Sequence, residues 1–129
     1  MTDHGAVHWN ELNTRNVKKA KEFYKKTLGW SYDDMPMGDM YGTYTIVKVG
    51  DKMVGGMFEM KGSMFEGVPE NWLTYFAVDD IDKILKKVKD AGGTVVRDPF
   101  DVAGVGRIAI IKDPNGAVQG WMTPAPGSM

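Results

Sequence analysis

Asn16–Gly29 reads NVKKAKEFYKKTLG, and Asp80–Gly93 reads DIDKILKKVKDAGG. Each stretch opens on a side chain that can cap a helix N-terminus, continues with apolar residues at helical spacing and stops at glycine. The first stripe is Val17, Ala20, Phe23, Tyr24 and Leu28; the second is Ile81, Ile84, Leu85, Val88 and Ala91. A shift of 64 positions lays one on the other, with Asn16 on Asp80, Val17 on Ile81, Ala20 on Ile84, Tyr24 on Val88 and Gly29 on Gly93. The same shift pairs the strand-like segment from Val7 to Asn13 with that from Asn71 to Ala77, and Tyr44 to Val49 with Ile108 to Asp113. Asp113-Pro114-Asn115-Gly116 reads as a tight turn between β-rich runs, and Gly50-Asp51-Lys52 holds the equivalent place in the first copy. Two similar helices alone can arise by chance in an α+β protein, but agreement at the turns as well makes duplication the better reading. The expected fold class is therefore α+β, with two tandem βαβββ modules at about 6–61 and 70–125 in a single domain.

Composition narrows the function classes. A chain of 129 residues, 43% hydrophobic and 26% charged, fits one ordinary globular domain. A net charge of −1 is too balanced for binding nucleic acid through phosphate neutralisation. The lysines at 18, 19, 21, 25 and 26 read as the solvated face of the first helix. Apolar runs such as Leu73 to Val78 fall far short of the roughly 20 residues that span a bilayer, so no membrane segment is expected. Residues Met1 to Ala6 include Asp3 and no apolar stretch behind a basic start, so the expected location is the cytoplasm. With no cysteine, disulfides, thiolate ligands and a cysteine nucleophile are excluded. Ser31, Ser63 and Ser128 lie in expected turns or the tail without a nucleophile elbow, and no phosphate-binding loop is present.

Local strings then point to a family. Glu22-Phe23-Tyr24 followed by Leu28-Gly29-Trp30 stands in the first copy. The second carries Phe76 to Asp82, then Ala91-Gly92-Gly93, then Lys112 to Gly116. Together with the βαβββ duplication, these strings resemble the vicinal-oxygen-chelate superfamily, which includes the glyoxalases, bleomycin-resistance proteins and extradiol dioxygenases. The resemblance implies two modules closing a cup-shaped mixed sheet around a small-molecule pocket, with the helices outside. It also implies a homodimer, formed either by exchanging modules or by packing sheet edges.

Enzymes of that family usually hold one divalent metal with His, Gln or Glu from the first and last strands of each module. The family's spacing places those positions here at Trp9, Gly56, Leu73 and Gly120. None of these side chains can ligate a metal ion, so no metal cofactor is expected. A relocated site would draw on His8, if a bulge turned it inward, together with Glu11 and Glu59. His4 is expected in a frayed terminus.

With Trp9 facing the pocket, Glu11 and Asn13 share its face and Leu12 packs under the helix. Leu73, Tyr75 and Ala77 face the pocket in the second module, as do Gly56, Phe58, Met60, Val118, Gly120 and Met122 on the closing strands. The candidate ligand-binding residues are Trp9, Glu11, Phe58, Tyr75 and Met122. An aromatic and thioether lining of this kind suits a flat or flexible organic molecule, although the same residues can also serve as core. Gly56 and Gly120 are expected to leave room where a metal would sit. Arg107, after Gly104-Val105-Gly106, offers either a bidentate grip on a ligand anion or an ordinary surface charge. Glu11 is the candidate general base. The expected function is binding of a small, mainly apolar organic molecule. A metal-dependent lyase or dioxygenase with a relocated site is the alternative. A drug-sequestering resistance protein is a third class, which the small net charge does not encourage.

Overall fold

The computed structural model describes residues 4–36, 42–102 and 105–125. Gly104 of the expected glycine-rich loop and Ser128 of the tail lie outside the described residues. The chain forms two compact units: Trp9–Trp72, and the residues on either side of that segment.

In the first unit β1 (Val7–Thr14), whose opening two residues belong to the other unit, leads into α1 (Val17–Leu28), β2 (Ser31–Pro36), β3 (Thr43–Val49) and β4 (Lys52–Glu59). The sheet order is β2-β3-β4-β1, with β1 parallel to β4 and the other neighbours antiparallel. Asn16 accepts a hydrogen bond from the Lys19 backbone N–H at 2.9 Å, and Gly29 stops α1 in the left-handed conformation with φ 72°. Part of the apolar stripe packs on the sheet, with Val17, Ala20 and Tyr24 against Leu12, Val47 and Met57, while Phe23 and Leu28 are exposed. Its lysines at 18, 19, 25 and 26 are exposed.

The second unit repeats this plan with β5 (Asn71–Ala77), whose opening two residues belong to the first unit, α2 (Ile81–Leu85), β6 (Thr94–Val102), β7 (Gly106–Lys112) and β8 (Val118–Pro124). The sheet order is β6-β7-β8-β5, with β5 parallel to β8. Val78, Ile81 and Ala109 form its core on the helix side, with Ile84, Leu85 and Trp121 packed against them. The register of the parallel pairs carries the repeat further than the helices do. Glu11 lies opposite Gly56 in the first unit, and Tyr75 opposite Gly120 in the second. On the antiparallel side Ile46 faces Gly56, and Ile110 faces Gly120. All three pairs of equivalent positions are separated by 64 residues.

Two expectations are corrected. The second helix does not run to Ala91: it ends at Leu85, and the chain continues in tighter turns, with Lys87 N–H bonded to Ile84 and Val88 N–H to Leu85. Val88 remains buried, because an i+3 turn satisfies its apolar spacing as well as an i+4 turn. His4 is not frayed: the Asp79 backbone N–H donates to its Nδ1 at 3.0 Å, and backbone bonds join Gly5 and Ala6 to Ala77. Among the described residues no helix is long and apolar enough to cross a membrane.

Candidate functional site

Strand alternation sorts the residues of the first unit. Leu12, Val47 and Met57 face α1, which leaves Trp9, Glu11 and Asn13 on the opposite face of β1, Tyr44 and Ile46 on that of β3, and Gly56 and Phe58 on that of β4. A hydrogen-bond chain runs across this face. The Trp9 Nε1–H donates to the Tyr44 hydroxyl at 2.8 Å, and the Tyr44 hydroxyl donates in turn to the Glu11 carboxylate. Glu11 is buried. Burial first, then the negative charge of Glu11 and the bond donated to it, push the Tyr44 phenol well above its ordinary 10.0, against the bond it accepts from Trp9. Tyr44 is therefore a neutral phenol at any physiological pH. Phe58 continues the face toward Phe65, with ring centroids 5.9 Å apart.

Tyr44 was not among the residues expected from sequence, and it changes the meaning of Gly56. A Cβ at Gly56 would run into the Tyr44 hydroxyl and ring. In the second unit a Cβ at Gly120 would run into the ring of Tyr75. The expected empty space at the two glycines is thus occupied. The physical reason is that a strand glycine offers no side chain to its neighbours, so an aromatic ring from an adjacent strand lies over it. Pairing register was the available signal: Tyr44 sits diagonally across from Gly56 on the shared face.

The family's four metal-ligand positions therefore fail a chemical and a steric test. Trp9 and Leu73 supply no donor, and Gly56 and Gly120 lie beneath tyrosine rings. The residues present do not fit the family metal. Nor does the relocated set assemble. Glu59 shares the helix side of β4 with Met57, and its carboxylate accepts from the Val17 N–H at 3.4 Å and pairs with Lys61 at 3.1 Å. It caps α1 on the face away from Glu11. His8 precedes Trp9 in a regular strand and so points to the opposite side. Among the described residues no three His, Asp or Glu side chains are grouped to hold a metal ion.

In the second unit the equivalent face is apolar. Leu73, Tyr75, Ala77, Ile108 and Met122 are all buried on it. Arg107 does not belong to this face. It shares the helix side with Ala109, where its guanidinium grips Asp82 at 2.9 and 3.1 Å and Asp101 at 3.1 Å. These bonds hold Asp82 below the ordinary carboxylate range. The bidentate grip expected for a ligand is closed on Asp82, because Arg107 neighbours the inward-facing Ile108 and must point the other way.

The face lined by α1 holds a hollow of about 360 Å³, lined by Asn10, Trp30, Val47, Val54, Gly55 and Trp72. Nothing in the sequence pattern had singled it out.

Comparison with known proteins places these features. The family described as Glyoxalase/Bleomycin resistance protein/Dioxygenase superfamily matches residues 6–118. A protein of Mycobacterium tuberculosis named as a glyoxylase, CFP32, is 38% identical over 116 residues, which cover 90% of this chain and 44% of the relative. The anthracycline biosynthesis protein DnrV of Streptomyces peucetius is 33% identical over 124 residues, covering 88% and 45% respectively. The chain thus spans less than half the length of these two relatives. Methylmalonyl-CoA epimerase of Streptomyces coelicolor, solved with 2-nitronate-propionyl-CoA, shares the fold with a TM-score of 0.68 at 17% identity, over 95% of this chain and 99% of that one.

Proposed function

Because the chain belongs to the Glyoxalase/Bleomycin resistance protein/Dioxygenase superfamily, we propose that it uses the sheet faces opposite its helices to bind a small, mainly apolar organic molecule without the family metal. The observation that carries this reading is the filling of both glycine positions by Tyr44 and Tyr75. The face of the first unit carries the polar groups. Trp9 and Phe58 offer aromatic surface, and Glu11, oriented by the Tyr44 hydroxyl, accepts a hydrogen bond or a proton from the ligand. On the second unit's own face the expected Tyr75 and Met122 are buried, with the Tyr75 ring over Gly120. Similarity to a protein of anthracycline biosynthesis supports a flat, polycyclic ligand class.

Elemental analysis of the purified protein, followed by titration with Ni, Zn, Mn and Fe, tests the metal-free reading. The expected result is substoichiometric metal and no saturable tight binding. A stoichiometric metal that is lost in Glu11→Gln or His8→Ala would overturn it. Ligand binding is tested by quenching of tryptophan emission with a panel of flat polycyclic ketones. Trp9→Ala should remove the saturable component, and an unchanged response would move the site off this face.

A further inference from the structure

Residues 61–70 of the first unit leave the end of β4 and come back to the residues they left. The Met60 N–H bonds to the Thr14 carbonyl at 2.9 Å, and the Asn13 side-chain amide donates to Asn71 Oδ1 at 3.4 Å. Both ends of the segment are thus held on consecutive residues of β1, so the chain between them is not needed to cross a gap. Loops closed in this way are frequently functional. The middle of the segment folds as one small body, with backbone N–H bonds from Phe65 to the Gly62 carbonyl at 3.3 Å, from Glu66 to Ser63 at 3.0 Å and from Val68 to Phe65 at 3.0 Å. Gly62 and Gly67 bracket it, with φ of 91° and 80° and open space where a Cβ would stand, so the chain can pivot there. Glu70 lies beyond the second pivot and is anchored: its carboxylate accepts from the Thr14 hydroxyl at 2.6 Å, from the Arg15 backbone N–H at 2.7 Å and from Arg15 Nη1 at 2.6 Å. Arg15, oriented by this grip, donates from Nη2 to the Phe65 carbonyl at 2.7 Å and so ties the small body to the anchored frame.

We propose that residues 62–67 are a lid over the ligand face of the first unit, with Phe65 as its ligand-binding residue and Arg15 as the positioning residue that latches it shut. The lid rests on the proposed use of that face. Phe65 is half-buried, and its ring meets Phe58 at a centroid distance of 5.9 Å, inclined by 55°. Met64 beside it is exposed. The turn therefore gives one aromatic ring to the face and leaves its neighbour in water. Because Phe58 is a contact for the proposed ligand, a flat molecule that reaches Phe58 meets Phe65 as well. The lid must lift to admit that molecule, and it adds a second aromatic contact on closing. Opening costs little. The Arg15 and Glu70 side chains are 47% and 49% exposed, so water can take the place of the bond to Phe65. A contact made only when the lid closes slows departure of the ligand more than it alters arrival.

Stopped-flow quenching of tryptophan emission by acridone, a flat polycyclic ketone, tests the lid in the wild type, Phe65→Ala, Arg15→Gln and the double variant. Phe65→Ala should raise the dissociation rate and Kd by about 5–10-fold, the worth of one aromatic contact. Arg15→Gln, which leaves the ring in place, should raise the dissociation rate by about 3-fold with little change in the association rate. In the Phe65→Ala background Arg15→Gln should have no further effect on either rate, because Arg15 acts through Phe65; a merely structural role would add the same increment in both backgrounds. A Phe65→Ala protein that binds acridone as the wild type does, or more tightly, overturns the lid while Trp9→Ala still abolishes binding and the reading of the face stands. A wild type that binds no polycyclic ketone removes that reading, and the lid with it. Should Phe65→Ala fail to fold, Arg15→Gln decides the question: a dissociation rate equal to that of the wild type overturns the proposal.

Discussion

Replacing Gly56 with alanine tests the packing that closes the family's metal position. A Cβ there would run into the Tyr44 hydroxyl and ring, so the ring must leave and take with it the bonds from Trp9 and to Glu11. A neutral hydrogen bond contributes about 1 kcal/mol and one to a charged group about 1.5–3 kcal/mol, so Gly56→Ala should destabilise by roughly 2–4 kcal/mol. Tyr44→Ala reverses the expectation. With the ring removed and no positive φ at Gly56, alanine only restricts the unfolded chain, which stabilises by roughly 0.4–1 kcal/mol. The sign of the Gly56 substitution therefore flips between backgrounds, a coupling of about 3–5 kcal/mol. Urea unfolding of the wild type, the two single variants and the double variant measures it, with equal m-values required. A cost below about 0.5 kcal/mol, or the same cost in both backgrounds, would show that no ring lies over Gly56 and would remove the steric argument against a metal.

Trp9→Phe keeps an aromatic ring but deletes the donor to Tyr44, and should cost about 1–2 kcal/mol in the same assay. Asn16→Ala removes the side-chain acceptor of the Lys19 N–H and should cost about 1 kcal/mol; an unchanged midpoint would show that the cap contributes nothing. Stability should also fall at both ends of the pH scale. Asp34, Asp82 and Glu70 are held below their ordinary values by hydrogen bonds from Lys21, Arg107 and Thr14 respectively, so their contribution is present above pH 4–5 and lost as acid protonates them. Tyr32 and Tyr44 are raised above 10.0, chiefly by burial, so the unfolded chain ionises first and stability declines as pH rises past 10. Urea midpoints across pH, with Tyr44→Phe flattening the alkaline limb, check the second claim. An ultraviolet titration in which every tyrosine ionises together near 10 would contradict it.

Much of the fold was legible because its signals are local or periodic. Asn16, Asp80, Gly29 and Gly93 mark helix ends through their own chemistry, and a single shift relates them. The opposed pairs Glu11–Gly56 and Tyr75–Gly120 show that the same shift holds in the strand register. The extent of α2 was not legible, since Val88 is buried by either kind of turn. The site was harder to read, because its decisive contacts are distant in sequence and depend on which side of a strand a residue faces. Trp9 and Tyr44 are 35 residues apart, and His4 and Asp79 are 75 apart. Arg107 and Glu59 show the role of parity: each adjoins a residue facing away from its helix, and each therefore spends its charge on the helix side, on Asp82 and on the N-terminus of α1.

The two modules reach the same outcome by different routes, and this limits how a metal site could return. In the first module the ring over the glycine comes from Tyr44 on β3, which leaves the β1 position opposite Gly56 to Glu11. In the second the ring comes from Tyr75 on β5, directly opposite Gly120. Because Tyr75 is the repeat equivalent of Glu11, one residue both fills the space and displaces the carboxylate, so the second module is left without the acid group the first retains. Installing Glu at Gly56 alone therefore meets the Tyr44 ring, and installing it at Gly120 alone meets Tyr75. Each module, taken by itself, would need a donor at its glycine and another at Trp9 or Leu73, together with removal of its own ring. On this face of the first module Trp9, Tyr44 and Glu11 form one hydrogen-bonded chain, and the tyrosine that holds the carboxylate is also the one whose ring covers Gly56.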